Sequence, residues 1–285
     1  METVNVIQVN VDSSTNRWQF YKERIQKLLE KDDSILLIQD PPDKSDWDIP
    51  NYTYYSNEYT TIAVPKKWRK DVTLIKITNF YITGIKINRE NFKMGFLSVY
   101  FEANDDKAEC LKTLDCYRHC LENDKYDYLI CGDFNARHYA FGETRMVTPW
   151  GRRISDYIIS NGLYMLNNPK DGPTFDGPMG SSYIDLSLIN RQNPHNFSWE
   201  LSEKEEKKLW HKLVQIRIEI RTNRGVNVDD EDLKLEASII SQFDQIRANV
   251  IQLITRGVTQ DFNNDQLLEQ VFESILKKSQ KSTTF

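Results

Sequence analysis

Apolar and polar positions alternate from the start of the chain: "VNVIQVNV" has the period of two that marks a strand. "NRWQFYKERIQKLLEK" then changes to the period of an amphipathic helix, and "SILLIQD" is a continuous apolar run, a buried strand stopped by Pro41 and Pro42. "YTTIAVP", "VTLIKI", "FYITGIKI" and "MGFLSVYF" follow as a series of strands. "KAECLKTLDCYRHCLEN" predicts a second helix, "YDYLICGD" another buried strand, and "RRISDYIISNG" a third helix with Gly162 as its C-terminal stop. "SYIDLSLI" and "KLVQIRIEI" complete the strands.

Strands and helices mixed in this way predict a layered α/β or α+β domain. The run of strands between residues 59 and 101, with no helix among them, argues against a simple doubly wound sheet and for two packed sheets flanked by helices. Beyond residue 221 the pattern changes. Ile239, Phe243, Ile246, Val250 and Leu253 form one helical stripe, and Leu268, Val271, Phe272 and Ile275 a second. The expected organisation is a main domain over 1–221 and a helical hairpin over 222–285. That hairpin could pack on the main domain, associate with a partner or a second copy, or begin a longer polypeptide.

Composition narrows the class. A chain of 285 residues, 39% hydrophobic and 12% aromatic, can bury a sizeable core, and no apolar run approaches the length of a bilayer span. The N-terminus lacks the pattern of a secretory signal, so a nuclear or cytoplasmic rather than secreted protein is expected. Four cysteines are too few for a disulfide framework. Cys116, His119 and Cys120 share helical spacing, which favours core packing over a metal site with no evident fourth ligand. The net charge of −5 excludes a polybasic nucleic-acid glue but not a nuclease, since a metal and a few placed cations can hold a phosphodiester. Residues 222–285 carry 7 Lys or Arg against 10 Asp or Glu, so more than half of the net charge lies there.

Three apolar runs stop at an acid: "ILLIQD" at Asp40, "YLICGD" at Asp133 and "SSYID" at Asp185. Strand ends position side chains while the following loops leave them reachable. Convergent carboxylates suit a hard cation such as Mg2+ or Mn2+. Asn10, Tyr100 and Asn135 also fall at strand ends.

"GDFNA", with "VNVD", "IQD", "SVYF", "PTF" and "SSYIDLSLI" in this arrangement, resembles the exonuclease-endonuclease-phosphatase superfamily over residues 4–220, and within it the apurinic-endonuclease-like endonuclease domain of non-long-terminal-repeat retrotransposons. "GDFNA" followed by "IDLSL" carries most of the specificity. The resemblance implies a four-layer α/β/β/α sandwich and a DNA endonuclease that uses Mg2+ or Mn2+ and nicks double-stranded target DNA to prime reverse transcription. It places Asn10 and Asp40 on the metal side, Tyr100 at the scissile phosphate, Asp133 on the attacking water and Asn135 on the phosphate. Asp185 supports the centre, and His211 binds phosphate or handles a proton. Arg137, His138, Arg145 and Arg152, with Arg153 beside them, fall where the resemblance implies nucleic acid and either clamp its phosphates or are ordinary surface charge, and Thr174 of "PTF" is counted among the substrate-binding residues. Trp68 of "KKWRK" is either a base-stacking residue or an ordinary hairpin-tip residue.

Two positions depart from the implied pattern. Asp40 stands where the superfamily carries Glu, so its carboxylate falls about an ångström short unless the backbone moves or a water bridges. Trp210 stands where an acid precedes the histidine, which leaves His211 without its acidic neighbour unless one comes from elsewhere, as from Glu203, Glu205 or Glu206. These departures keep a second reading open, a weakened or inactive derivative that serves as a binding module. A phosphatase or phospholipase is disfavoured by the texture of "RRISDYIISNGLYMLN" and "PTF". A reverse transcriptase domain, or a protein bound through the C-terminal helices, is the expected further partner, with no membrane.

Overall fold

A computed structural model describes residues 2–220 except 31, 43–48, 90–91, 103–106, 179, 191–196 and 203–208. The hairpin expected over 222–285, and Glu203, Glu205 and Glu206, lie outside the described residues. The chain begins with strand β1 (Glu2–Asn10), helix α1 (Thr15–Leu29) and strand β2 (Ser34–Gln39). Next come β3 (Tyr52–Ser56), β4 (Thr60–Pro65), β5 (Val72–Leu74), β6 (Ile82–Arg89) and β7 (Phe92–Tyr100). Helix α2 (Lys107–Asn123), β8 (Asp127–Asp133) and α3 (Pro149–Ser160) are followed by β9 (Tyr164–Met165), β10 (Phe175–Gly177), β11 (Gly180–Ser182), β12 (Asp185–Ile189), β13 (Phe197–Leu201) and β14 (Val214–Ile220).

Two six-stranded mixed sheets result, in the orders β13-β14-β1-β2-β4-β3 and β5-β6-β7-β8-β12-β9, with a small β10-β11 hairpin beside them. Three apolar layers account for the order of the elements. Val6, Ile35, Leu37 and Ile62 of the first sheet meet Ile85, Phe96, Leu129 and Cys131 of the second. On the outer face of the first sheet, Ile7, Val9, Leu36 and Ile38 receive Trp18, Tyr21 and Ile25, one stripe of α1. On the outer face of the second, Leu97, Val99 and Ile130 receive Leu114, Tyr117 and Leu121 of α2 and Ile154 and Ile158 of α3. Covered on both faces, β2 is buried along its whole length, which is why its sequence runs apolar without alternation. The fold is the α/β/β/α sandwich.

Four local expectations change. The edge strands β3 and β13 were not legible, and "SYIDLSLI" is no single strand: β12 starts at Asp185 rather than ending there. Trp68 is 6% exposed, folded under the sheet by a short 3-10 helix over Lys66–Asp71 and capped by the Arg89 guanidinium at 4.8 Å. It is a core residue and presents no face to a base. The buried stripe of α2 runs through Cys110, Leu114, Tyr117 and Leu121, so Cys116 and His119 point to solvent rather than into the core. Cys120 lies at the border, where its sulfur accepts from Lys86 Nζ at 3.2 Å.

Candidate active site

In each sheet a parallel pair carries the chain to the same edge. Asn10 of β1 lies in register with Gln39 of β2, and Tyr100 of β7 with Asp133 of β8. The neighbouring β12 runs antiparallel, so its first residue, Asp185, lies beside Asp133. By the same reversal, β14 runs antiparallel to β1, and His211 just ahead of it reaches this edge. Residues far apart in sequence thus converge because strand ends and strand starts alternate along one rim.

The backbone there is unusual. Asp12, Ser13, Asp40 and Asn135 all adopt positive φ, between 43° and 54°. Such conformations cost of order 1 kcal/mol or more for non-glycine residues and tend to gather at functional sites. Gly132 precedes Asp133 where a Cβ would lie 1.8 Å from the Val99 carbonyl oxygen, so β8 can approach β7 here only as glycine.

Asp133 is 2% exposed and carries several defined contacts. Its Oδ2 accepts from Asn10 Nδ2 at 2.9 Å, and its Oδ1 from the Asn135 backbone N–H at 2.8 Å. His211 Nε2 lies 3.9 Å from Oδ2. Burial, and then the charge of Asp185, push the Asp133 carboxyl well above the usual carboxylate range; His211, Asn135 and Asn10 pull it back in part.

His211 has an acidic partner after all. Its Nδ1 lies 2.9 and 3.1 Å from the two oxygens of Asp185, which is fully buried. The acid expected beside it in sequence is supplied from 26 residues upstream by β12. Held this way, Nδ1 carries the proton and Nε2 faces Asp133. Desolvation opposes the imidazolium, but Asp185 and Asp133 together outweigh it and raise its pKa above the ordinary 6.5. The peptide carbonyl of His211 accepts from the Tyr21 hydroxyl, and Phe175 packs edge-on to the ring at 4.9 Å. Asp185 also accepts from Gln8 Nε2 at 3.3 Å.

The other expected residues divide into those that reach this centre and those that do not. Tyr100 is half-buried, and its hydroxyl is held protonated by burial, then by the charges of Asp40 and Asp133. Asn135 spends one amide hydrogen on the Phe101 carbonyl at 3.0 Å. Asn10 belongs more to Asp133 than to a cation, since its Oδ1 already accepts from Asp12 N–H at 2.8 Å. Asp40 is half-buried with the Ser13 hydroxyl against its carboxylate; burial raises its pKa, opposed by that hydroxyl and by His211. Thr174 does not face a substrate. It is 1% exposed, its hydroxyl accepts from Asp185 N–H at 3.1 Å, and its carbonyl accepts from Lys212 N–H at 2.7 Å, stapling two segments of the site together. Arg137 and His138 are half-buried in the loop after β8, whereas Arg145, Arg152 and Arg153 are exposed. The Trp210 indole lies against the Arg17 guanidinium, which also pairs with Asp12. Asp12 and Arg17 were missed; the only signal was "VNVD" itself, where Asp12 follows Asn10 by two.

The pair of sheets between helices is the fold of exonuclease-endonuclease-phosphatase proteins. A family protein of that class from Leptotrichia buccalis C-1013-b superposes with a TM-score of 0.53 at 14% identity, covering 77% of this chain and all of its own. The more particular likeness is to retrotransposon endonucleases. Residues 94–209 match the family model described as endonuclease-reverse transcriptase. The endonuclease domain of TRAS1, a telomere-specific non-LTR retrotransposon, superposes with a TM-score of 0.64 at 19% identity, over 78% of this chain and 100% of that domain. The AP endonuclease LMAP from Leishmania major gives 0.60 at 10% identity, over 77% and 88%. In sequence, the Pol polyprotein of the type-1 retrotransposable element R1 from Bradysia coprophila is 28% identical over 163 residues, 53% of this chain but only 16% of that polyprotein. The resemblance carried by "GDFNA" and "IDLSL" therefore stands in both sequence and fold.

Proposed function

We propose that the chain is a divalent-cation-dependent endonuclease that nicks double-stranded DNA by phosphodiester hydrolysis, leaving a 3′-hydroxyl from which reverse transcription can start. The observation that carries this reading is the register of Tyr100, Asp133 and Asp185 across three adjacent strands, with His211 tied to Asp185. The donors fit a hard cation: Asp40 offers a half-buried carboxylate whose side-chain partner is a neutral hydroxyl. Asp40 would hold Mg2+ or Mn2+ there, and the ion would supply polarisation of a phosphoryl oxygen and stabilisation of developing charge.

The remaining work falls to the chain's own residues. Asp133, fixed by Asn10 and the Asn135 N–H, orients the attacking water and takes up its proton. Tyr100, kept neutral, and the free amide hydrogen of Asn135 donate to phosphate oxygens without repelling the nucleophile. His211, aligned by Asp185 and favoured as the imidazolium by Asp185 and Asp133, donates its Nε2–H to the same phosphate. Arg137, His138, Arg145 and Arg152 hold flanking phosphates, which confers affinity without base readout. In this reading residues 1–221 carry the nuclease, residues 222–285 contact a reverse transcriptase domain or another protein, and the enzyme acts on nuclear or cytoplasmic DNA. A weakened derivative used for binding is the second reading, favoured by Trp210 at an acidic position.

Conversion of supercoiled plasmid to nicked circles with Mg2+ or Mn2+, abolished by EDTA and by Asp40→Ala, is the expected result. A folded protein that leaves plasmid intact with either ion would select the second reading.

A further inference from the structure

Asp12 and Trp210 lie at the rim without a part in the proposed chemistry, and one residue joins them. The Arg17 guanidinium lies 3.7 Å from the centroid of the Trp210 ring and forms an ion pair with Asp12. Its side chain is 17% exposed, so the charge is held in a partly dry setting. Trp210 is braced by the edge of Phe175 at 6.4 Å, and Phe175 in turn packs on His211. Arg17 is placed by α1, whose N-cap Ser14 accepts the Arg17 N–H at 3.3 Å.

The same short loop is tied to the centre and to Asp40 by hydrogen bonds. The Asp12 N–H donates to Asn10, whose amide holds Asp133. Ser13 donates its N–H to the Asp40 carbonyl at 2.8 Å and its hydroxyl to the Asp40 carboxylate. A fixed positive charge therefore sits at the loop that is hydrogen-bonded to Asp40, on an indole that has no ligand atom for a metal.

We infer that Arg17 is a built-in cation that closes the Asp12 side of the rim to divalent ions, leaving Asp40 as the carboxylate that holds one, with Trp210 as the shelf that fixes it. This rests on the metal-dependent reading above. A divalent ion at Asp12 must first separate the ion pair and then sit beside a guanidinium of like sign. The planar, weakly hydrated guanidinium suits both a carboxylate and an aromatic face, which explains an indole where the resemblance implies an acid. An ordinary helix-start ion pair would instead have no bearing on cation binding.

Mn2+ titration of the full chain, following free Mn2+ by electron paramagnetic resonance, separates these cases. Wild type is expected to bind one ion, and Asp12→Asn to match it within about threefold, since Asp12 is already committed to Arg17. Arg17→Met keeps the stem on Trp210 but frees Asp12, and is expected to bind a second ion or to tighten the first by about tenfold or more. Adding Asp12→Asn to Arg17→Met returns binding to the wild-type value, closing the cycle. A tenfold loss in Asp12→Asn alone overturns the inference, and does so even where Arg17→Met fails to fold. Unchanged number and affinity in folded Arg17→Met, with wild-type binding intact, overturns the role of Arg17 but not the metal-dependent reading. Binding by neither wild type nor Arg17→Met overturns both, and binding that appears only in Arg17→Met overturns Asp40 as the carboxylate that holds an ion in the wild type.

Discussion

At the centre of the site Asp133, Asp185 and His211 are each at most 5% exposed, and their side chains make their contacts largely to one another or to Asn10, Asn135 and Gln8. At the rim the Asp12 side chain is 37% exposed and Asp40 is half-buried. The chain keeps the expected residues at the buried centre and departs from them at the wetter rim, at Asp40 and Trp210. Burial explains the contrast. Removing one partner from a dry group of charges strands the others, whereas solvent screens a change at the rim and a guanidinium can take up an unpaired carboxylate.

The largest effect should come from breaking the centre without changing its shape. Asp185→Asn keeps the volume but removes the charge that sets the His211 tautomer, and is expected to slow nicking by about 10³-fold or more under single-turnover conditions. A loss within about tenfold would place His211 outside the chemistry and erase the difference between centre and rim.

Burial also decides the role of Trp68. Trp68→Ala is expected to lower stability by about 3–5 kcal/mol in denaturant unfolding, with DNA affinity of the folded fraction unchanged. Weaker DNA binding at undiminished stability would restore it to the surface.

Much of the centre was legible because single motifs carry it. "YLICGD" reads as a buried strand with Asp133 at its mouth, and Asn135 two residues on falls where the loop must turn. The Asp185–His211 pairing was not legible, because it depends on β12 running antiparallel to β8 and on β14 running antiparallel to β1, which no local pattern states. Arg17 was hidden for a different reason. On an amphipathic helix it reads as one more solvated cation, and only the fold brings Trp210, 193 residues later, onto its plane. The edge strand "YTYYS" failed because partly exposed tyrosines on both faces give no alternation.

A smaller effect follows from pH. Folding raises the pKa of both Asp133 and His211, so both bind protons more tightly folded than unfolded. The contribution of His211 is complete below its ordinary 6.5 and is lost as pH rises through its folded value; that of Asp133 is complete below 3.8 and lost likewise. Melting temperature in EDTA should therefore fall as pH rises from about 5 to 8, and fall less in Asp133→Asn. A wild-type melting temperature that climbs over that range contradicts the electrostatics of the centre.

The smallest effects belong to the exposed cations. Arg145→Ala and Arg152→Ala should each weaken DNA binding a few fold and reduce the salt slope by about 1, with no change in the nicking rate of bound DNA. Binding that is unchanged at all salt concentrations would leave them as ordinary surface charge.

The proposed hydrolysis turns on Asp133. Plasmid nicking by wild type and by Asp133→Asn, in Mg2+ or Mn2+ with both proteins shown to be folded, tests it most directly. The predicted result is nicking by the wild type and a loss of about 100-fold or more in the variant. Nicking by Asp133→Asn within about threefold of wild type would contradict the assignment of the centre and with it the proposed mechanism.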